Sequence, residues 1–411
     1  MTAKSRACLP SMLILAVSMC CRADDWPQFL GPNRSGTSTE TNTIVPWSGD
    51  GPKVVWQRDV GSGFAGPSVK DDRLLLFHRI GNEERLECFA AATGKPMWTN
   101  SGPTRYQDDF RFDEGPRAVP TIDGELVFAL GAEGGFRCVE LSTGKTVWMR
   151  ALLKEYEAEK GFFGVASAPL VVGNVVVANV GGSNGRGIVG LDRLTGKELW
   201  KATDHEASYS APVVTTINGK QLALCFTRAG LVGLEPPTGK VLFEVPWRAR
   251  SSASVNAAAP VVWSNRVFIT TSYDTGAKLL SIEDAKPVEI WSNDESLSSH
   301  YPTPIWAGGH LFGFHGRQEN GAQLRCVEAE TGKVLWSQDG LGIGHLIRIA
   351  NRLLVLPENG ELLLMSTSPT KPEILARGQI LGLGVRAAPA YSNGRLFARS
   401  PKKLVCVKLA D

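Results

Sequence analysis

Short apolar runs alternate with turn residues along almost the whole chain from residue 51 onwards. One representative stretch contains, in order, Val119–Ile122, a turn at Asp123-Gly124, Glu125–Leu130, a turn at Glu133-Gly134-Gly135 and Phe136–Leu141. Short runs rich in β-branched and aromatic residues, separated by Gly, Asn and Asp, are typical of antiparallel strands joined by tight turns. The pattern therefore predicts an all-β chain.

This strand pattern is repeated, and two sequence markers define the repeat. The motif Thr-Gly-Lys-x-x-Trp/Phe occurs at Thr93–Trp98, Thr143–Trp148, Thr195–Trp200, Thr238–Phe243 and Thr331–Trp336, with an eroded copy from Asp284 to Trp291. A proline opens an apolar run at Pro67, Pro120, Pro169, Pro212, Pro260, Pro304 and Pro389, and the unit near Ile347–Leu356 lacks it. Together the markers give eight units that average under 50 residues, a period typical of propeller blades.

The two ends of the repeat region complement each other. The last unit contains strand patterns at Ala388–Arg399 and Leu404–Leu409 but no fourth strand, whereas Val54–Arg58 is a strand pattern without a unit of its own. Pairing the two closes a ring and removes an exposed sheet edge. We predict an eight-bladed β-propeller of four-stranded antiparallel blades over residues 51–411, closed by an N-terminal strand that completes the last C-terminal blade.

The recurrent tryptophans and cysteines fit a structural role in this repeat. We expect the tryptophans to lie on outer strands, cover the glycine of an adjoining turn and pack against the next blade. They are Trp56, Trp98, Trp148, Trp200, Trp291 and Trp336. Cys88, Cys138, Cys326 and Cys406 hold the same register in different blades, beyond the roughly 7 Å Cα separation that a disulfide bridges. With Cys225 we expect five buried free thiols.

The first 23 residues resemble an export signal. Lys4 and Arg6 precede an apolar stretch, Leu9–Cys21, and a small-x-small cleavage site ends at Ala23. The apolar stretch is too short to span a bilayer. A bulky residue, Met19, precedes the first candidate lipidation cysteine, which disfavours lipid anchoring. We predict a signal peptide at 1–23, an N-terminal extension at 24–50 and an exported protein of the periplasm or cell envelope.

Charge excludes some classes of partner. The formal charge of +3 comes from residues 1–23, which carry three basic residues and no acidic one, so that the remaining chain is formally neutral. Neutrality gives no electrostatic reason to expect nucleic acid or anionic lipid as a partner. No apolar run is long enough for a transmembrane span. We expect a monomer.

One unit carries a family resemblance. Leu324–Trp336 reads Leu-x-Cys-Val-x-Ala-x-Thr-Gly-Lys-Val-Leu-Trp and resembles the repeat of the pyrroloquinoline-quinone (PQQ)-like propellers. The resemblance covers nearly all of residues 50–411, and Asp25–Pro32 is similar to the mature start of exported bacterial members. It implies the propeller fold and two kinds of function. The superfamily contains quinoprotein alcohol and glucose dehydrogenases, and also a non-catalytic propeller lipoprotein of the outer-membrane β-barrel assembly machinery, between which fold alone does not choose.

Acidic residues discriminate between these implied functions. The resemblance implies that a quinoprotein dehydrogenase holds Ca²⁺ beside the quinone and uses an Asp base, and Ca²⁺ takes about six to eight oxygen ligands. The segments that lead into the first strand of each unit contain no Asp or Glu; they are Gly61–Gly66, Gly115–Val119, Gly164–Ala168, Ser208–Ala211, Ser254–Ala259, Ser299–Thr303, Gly342–Ile347 and Val385–Ala388. The resemblance also implies a cysteine pair beside the quinone, whereas the vicinal cysteines of this chain, Cys20 and Cys21, lie in the predicted signal peptide. We expect no catalytic residue, no metal and no quinone; PQQ with Ca²⁺ is the alternative.

Polar residues of the same segments are the candidate ligand-binding residues. They are Arg117, Ser167, Tyr209, Ser210, Asn256, His300, Tyr301, His345 and Arg386. A ring of these side chains at the channel mouth would form a polar, partly cationic funnel able to bind an anion, a sugar or a peptide carboxylate. The alternative is a water-filled channel without a ligand.

Two insertions lengthen the first connections between units. Asp108–Glu114 is acidic and aromatic, and Ala151–Lys160 favours a short helix. We expect them to project as a lip on one face, where binding residues often lie, although loop decoration without function is the alternative. The aromatic residues that would suit a carbohydrate-binding or carbohydrate-processing propeller are Phe110, Phe112, Phe162, Phe163 and Tyr301.

These features favour a binding or scaffolding module of the cell envelope, without bound quinone. Its partner would be an envelope protein or a small ligand at one propeller face. The alternative is a periplasmic PQQ-dependent alcohol or sugar dehydrogenase, and a carbohydrate-binding propeller is a third hypothesis.

Overall fold

Eight sheets follow one another in sequence around a central channel. The computed structural model describes residues 25–41, 44–49, 51–252 and 254–410, so the predicted signal at 1–23 lies outside the described residues. Two strands precede the first blade: β1 (Thr37–Ser38) and β2 (Lys53–Asp59). No helix within the described residues is long and apolar enough to cross a membrane.

The first four blades each contain four antiparallel strands. Blade one consists of β3 (Ser68–Lys70), β4 (Arg73–Ile80), β5 (Glu83–Ala90) and β6 (Pro96–Pro103). Blade two consists of β7 (Thr121–Asp123), β8 (Leu126–Leu130), β9 (Gly135–Glu140) and β10 (Thr146–Ala151), followed by the short helix α1 (Leu152–Glu155). Blade three consists of β11 (Leu170–Val172), β12 (Val175–Asn179), β13 (Ile188–Asp192) and β14 (Glu198–Ala202). Blade four consists of β15 (Val213–Ile217), β16 (Lys220–Phe226), β17 (Gly230–Leu234) and β18 (Val241–Pro246).

The last four blades complete the ring. Blade five consists of β19 (Val261–Trp263), β20 (Arg266–Thr271), β21 (Gly276–Glu283) and β22 (Lys286–Asn293). Blade six consists of β23 (Ile305–Ala307), β24 (His310–His315), β25 (Gln323–Glu328) and β26 (Val334–Gln338), with a 3₁₀ turn at Gln318–Asn320. Blade seven consists of β27 (Gly344–Ile349), β28 (Arg352–Pro357), β29 (Glu361–Ser366) and β30 (Ile374–Gln379). Blade eight consists of β31 (Ala390–Ser392), β32 (Arg395–Arg399) and β33 (Lys403–Lys408), completed by β2.

This architecture confirms the predicted eight-bladed all-β propeller and its closure. β2 pairs antiparallel with β33, with Trp56 opposite Cys406 and Arg58 opposite Leu404. The first strand of the last blade, β31, also packs against β3 of the first blade. The ring is therefore closed both at its outer edge and at its channel.

Each of the six recurrent tryptophans joins its blade to the next one. Trp98 donates from its indole Nε1 to the carbonyl of Leu141 at 2.9 Å, and its ring lies against Gly144, the turn glycine of blade two. Trp148 does the same for blade three, with its Nε1 3.0 Å from the Arg193 carbonyl. A Cβ at Gly144 would lie 2.4 Å from the Trp98 ring, so only glycine allows this contact.

The cysteines lie inside the blades as single thiols. Cys88, Cys138, Cys225, Cys326 and Cys406 are all buried and free, as the register predicts. Burial raises the pKa of the Cys88 thiol to about 12, so it is protonated at neutral pH. The thiols therefore act as small apolar side chains.

The N-terminal plug, residues 25–41, crosses the channel, which the sequence did not predict. The connections that join one blade to the next lie on one face of the propeller, which we call the upper face, and so do the turns between the second and third strands of each blade. The turns between first and second strands and between third and fourth strands lie on the opposite, lower face. On the lower side, Trp26 exchanges two backbone hydrogen bonds with Val69 of β3, at 2.9 and 2.8 Å. β1 then pairs in parallel with β27, so blade seven has five strands. Finally, the Glu40 carboxylate accepts from the backbone N–H groups of Asn393 and Gly394 in blade eight.

One arginine of the plug is bound by blades two, three and four. The Arg34 guanidinium donates to the carbonyls of Pro212 at 2.9 Å and Ala168 at 3.4 Å, to the Pro169 carbonyl and to the Thr121 hydroxyl at 3.3 Å. Arg34 is buried, and this burial lowers its pKa to about 9. The strand-opening prolines present their carbonyls to the channel, where they satisfy this cation.

Candidate functional site

A cavity of about 420 Å³ opens on the upper face of the propeller. We call it the cup. Its floor includes Phe29 of the plug, which packs against Val119, Ala168 and Ala211 of the blades below it. The cup is therefore closed at the channel side and open to solvent at the other.

One wall of the cup is aromatic. Phe110 and Phe112 stack with ring centroids 6.1 Å apart, and Phe110 lies 5.3 Å from Phe163. Phe163 in turn lies 5.6 Å from the Tyr209 ring, and its backbone N–H donates to the Tyr209 hydroxyl at 2.9 Å. Phe110 and Phe112 are each about half exposed, so they present aromatic faces to any ligand. Phe110 and Phe112 belong to the insertion Asp108–Glu114, one of the two segments predicted to form a lip, and we call this insertion the lip.

Arg117 holds the lip in place. Its guanidinium donates to the Asp108 carboxylate at 2.7 Å and to the Phe163 carbonyl at 3.0 Å, and lies 4.7 Å from the Phe64 ring centroid. Asp108 is buried and also accepts from the backbone N–H groups of Phe110 and Phe112. The insertion is thus folded around a buried ion pair, and its arginine is neutralised.

A second arginine, Arg386, also lies near Phe64, with its guanidinium 5.7 Å from the ring centroid. Its Nε is 3.0 Å from the Glu358 carboxylate, which also accepts from the Tyr301 hydroxyl at 2.7 Å. The guanidinium lies 5.3 Å from the Phe112 ring centroid. Burial and the neighbouring carboxylate raise the pKa of Tyr301 well above its ordinary value, so the phenol stays a hydrogen-bond donor.

His345 is a neutral imidazole in this part of the cup. Its Nε2 lies 2.9 Å from the Arg386 carbonyl, which can only accept, so Nε2 carries the proton. Burial lowers the pKa of His345 to about 4. Its other nitrogen, Nδ1, is therefore an acceptor at neutral pH.

The third part of the wall is a chain of hydrogen bonds from Tyr273 to Glu319. His300 contacts the Tyr273 hydroxyl through Nε2 and the Gln318 carbonyl oxygen through Nδ1, both at 2.9 Å. Gln318 donates to Glu319 at 3.0 Å, and Arg317 donates to the same carboxylate at 3.1 Å. Burial lowers the pKa of His300, so this imidazole is neutral as well.

Six of the nine predicted site residues line this one cavity; they are Arg117, Tyr209, His300, Tyr301, His345 and Arg386. The other three lie beside it and are buried among the connections. Ser167 donates to the Ser210 carbonyl at 2.8 Å, and Asn256 donates to the Thr227 carbonyl at 2.8 Å. Ser167 and Asn256 thus hold backbone segments together beneath the cup wall.

Sequence reasoning missed a second set of lining residues: Phe29, Phe64, Tyr273, Arg317, Gln318, Glu319 and, behind the wall, Glu358. Most of them come from turns between second and third strands. These turns open on the same face as the connections between blades, because strand direction reverses at every turn. That topological rule was the signal available in the sequence.

The cup is close to electrically neutral, unlike the partly cationic funnel predicted from the connections alone. Each arginine of the lining has a carboxylate partner: Arg117 with Asp108, Arg317 with Glu319 and Arg386 with Glu358. The acids come from the insertion and from the turns.

The lining does not fit a Ca²⁺-bound quinone. Across the described ranges, no group of three or more His, Cys, Asp or Glu side chains is close enough to hold a metal ion. Ca²⁺ needs about six to eight oxygen ligands, whereas the carboxylates at the cup are each engaged by an arginine.

Comparison with solved structures places the chain among known propellers. BamB from Moraxella catarrhalis superposes with a TM-score of 0.61 at 15% identity, covering 86% of this chain and 98% of that one. The computationally designed Ika8 protein also gives 0.61, at 12% identity, covering 87% and 100%. The quinohemoprotein alcohol dehydrogenase ADHIIG from Pseudomonas putida HK5 gives 0.52 at 12% identity, covering 94% and 80%. At such identities, these likenesses show the fold alone.

Sequence comparison gives a more specific result. No curated protein matches the chain. The family described as outer membrane protein assembly factor BamB matches residues 82–338, which is more than half of the chain. This match confirms the resemblance to PQQ-like repeat propellers drawn from Leu324–Trp336. The protein belongs to the PQQ-repeat propeller family described as outer membrane protein assembly factor BamB.

Proposed function

We propose that the protein is an exported binding module of the cell envelope, which takes its ligand or partner into the cup and carries no quinone. Family membership supports a place in envelope assembly, because the family is described by an outer-membrane assembly factor. The cup supplies the binding surface, since it is the side of the channel that the plug leaves open.

The observation that carries this proposal is that the carboxylates at the cup are already paired with neighbouring side chains. Dehydrogenation by a quinone needs a Lewis acid beside the cofactor and a carboxylate free to take a proton. Glu358 instead accepts from Tyr301 and forms an ion pair with Arg386, and Glu319 is engaged by Arg317. These groups shape a rigid, neutral wall suited to recognition.

Titration with PQQ tests this proposal against a dehydrogenase. The chain from residue 24 onwards is titrated calorimetrically with PQQ, with and without Ca²⁺, while a visible spectrum is recorded. We expect no saturable heat and no bound chromophore. Saturable binding at micromolar affinity or better, lost when Ca²⁺ is removed, would overturn the proposal and point to a PQQ-dependent alcohol or sugar dehydrogenase.

Cross-linking in cells tests the positive half of the proposal. A photo-reactive amino acid replaces Phe112 at the cup, and in a matched control it replaces Met149, which is equally exposed on the outer strand of blade two. We expect envelope-fraction adducts from the cup position and none from the outer strand. A protein found in the cytoplasmic fraction, or adducts from Met149 alone, would contradict it.

A further inference from the structure

Unused hydrogen-bonding groups remain in the cup after its internal pairs are counted. The Arg386 Nη1 and Nη2 atoms and the Arg317 Nη1 atom have no partner among the described residues. Within the same described part of the chain, the His345 Nδ1 is an acceptor without a donor. The cup therefore offers both unpaired donors and an unpaired acceptor.

This combination suits groups that both donate and accept. A hydroxyl does both, whereas a carboxylate or phosphate only accepts and would leave the His345 nitrogen facing a like lone pair. The opposite wall offers the half-exposed faces of Phe110 and Phe112. Aromatic faces pack against apolar C–H faces of a ligand and exclude water from its hydrogen bonds.

The shape of the cup selects a chain end. Because Phe29 closes the floor, a polymer cannot pass through the channel and enters by a terminus or a bend. A peptide terminus carries an ammonium or a carboxylate, which finds no unpaired opposite charge here, since Arg317 and Arg386 each have an acidic partner. Burying such a charge without a partner is costly. The non-reducing end of a glycan carries hydroxyls and no charge.

We propose that the cup binds a neutral end of a saccharide, with a sugar face on Phe112 and hydroxyls on Arg386 and His345. This inference rests on the proposed binding function and names the ligand class of the same site. A cavity of about 420 Å³ is in the range of small-ligand sites.

The test is a calorimetric titration with three neutral disaccharides, maltose, cellobiose and N,N′-diacetylchitobiose. We expect at least one to saturate with a Kd of about 1 mM or tighter, the strength of a few such contacts. Phe112→Ala weakens that binding about five-fold, as the loss of one aromatic contact does. Arg386→Met weakens it about ten-fold, because it removes the two unpaired Nη donors of the cup.

Controls separate the inference from the proposed function. Met149→Ala, on the outer strand, leaves the affinity unchanged, and thermal melts confirm that each variant is folded. A glucuronic acid disaccharide or a free-ended Gly-Phe-Gly peptide that binds more tightly than every neutral disaccharide would overturn the saccharide inference. Absence of any disaccharide binding would also overturn it, and cross-linking from the Phe112 position would then still support the binding function.

Discussion

Arg34 is a buried cation, and no carboxylate of the described residues lies within hydrogen-bond reach of its guanidinium. Its guanidinium is satisfied by backbone carbonyls of blades three and four, Ala168, Pro169 and Pro212, and by the Thr121 hydroxyl of blade two. Proline has no N–H to offer a neighbouring strand, but its carbonyl is a full acceptor. At the scale of a single residue, the arginine links three neighbouring blades.

Replacing this side chain tests its structural weight. We expect Arg34→Met to lower the free energy of unfolding by about 3 kcal/mol, because each buried carbonyl left without a donor costs about 1–3 kcal/mol. Urea unfolding followed by tryptophan fluorescence measures the change. Arg377→Met, at a half-exposed site, is the control and changes stability by less than about 0.5 kcal/mol. Equal stabilities of the two variants would contradict the assignment.

His345 makes stability depend on pH. Its pKa is about 4 in the folded protein and about 6.5 in an unfolded chain, so the unfolded chain binds more protons between these values. The free energy of unfolding therefore falls as the pH falls from 6.5 to 4, by about 3 kcal/mol from this residue. His345→Gln should unfold with a shallower pH dependence in that window, measured by denaturant titration at several pH values. Identical slopes for the two proteins would refute the prediction.

At the scale of elements, adjacent blades are held together by a repeated contact between an outer-strand tryptophan and the turn glycine of the next blade. Gly196 has a φ of +69°, and a Cβ there would lie 2.7 Å from the Trp148 ring. The turn is thereby fixed twice, once by backbone conformation and once by the indole above it. The six recurrent tryptophans hold neighbouring blades together.

A double-mutant cycle measures one such contact. Gly196→Ala should destabilise by about 1 kcal/mol more than Gly124→Ala, which has the same left-handed backbone but open space around it. In a Trp148→Ala background this excess should vanish, giving a coupling of about 1 kcal/mol. Thermal or urea unfolding supplies the four free energies. A coupling of zero would mean that the ring does not press on the glycine.

The repeat predicts elements well because its markers are local. Thr-Gly-Lys fixes a turn and the tryptophan that follows fixes an outer strand, so blade count, strand order and closure follow from spacing. The plug is different, because Pro32-Asn33-Arg34-Ser35-Gly36 has the composition of an ordinary surface turn. Its position depends on carbonyls that are far away in sequence. Only part of the cup could be predicted from the sequence. The connections between blades are located by the repeat, whereas Arg317 and Glu358 come from turns that carry no repeat marker.

At the scale of the whole molecule, stability does not depend on covalent links among the five cysteines. All five thiols are buried and unpaired, and burial raises the pKa of Cys225 to about 12. In the chain from residue 24 onwards, we expect a thiol reagent to label none of them in the native protein and all five after denaturation. The melting temperature should be the same with and without a reductant. A reactive native thiol, or a melting temperature that the reductant lowers, would contradict this.

The plug also constrains the order of folding. Residues 25–41 leave the ribosome before any blade exists, yet their partners are spread from Val69 in blade one to Asn393 in blade eight. The plug can therefore complete its docking only when the last blade has formed. Contacts between residues so distant in sequence form slowly. Refolding should end in a late phase during which Trp26 becomes buried, after the blades themselves have acquired their strands. Docking of residues 25–41 onto the closed ring of blades is therefore expected to be the last step of folding.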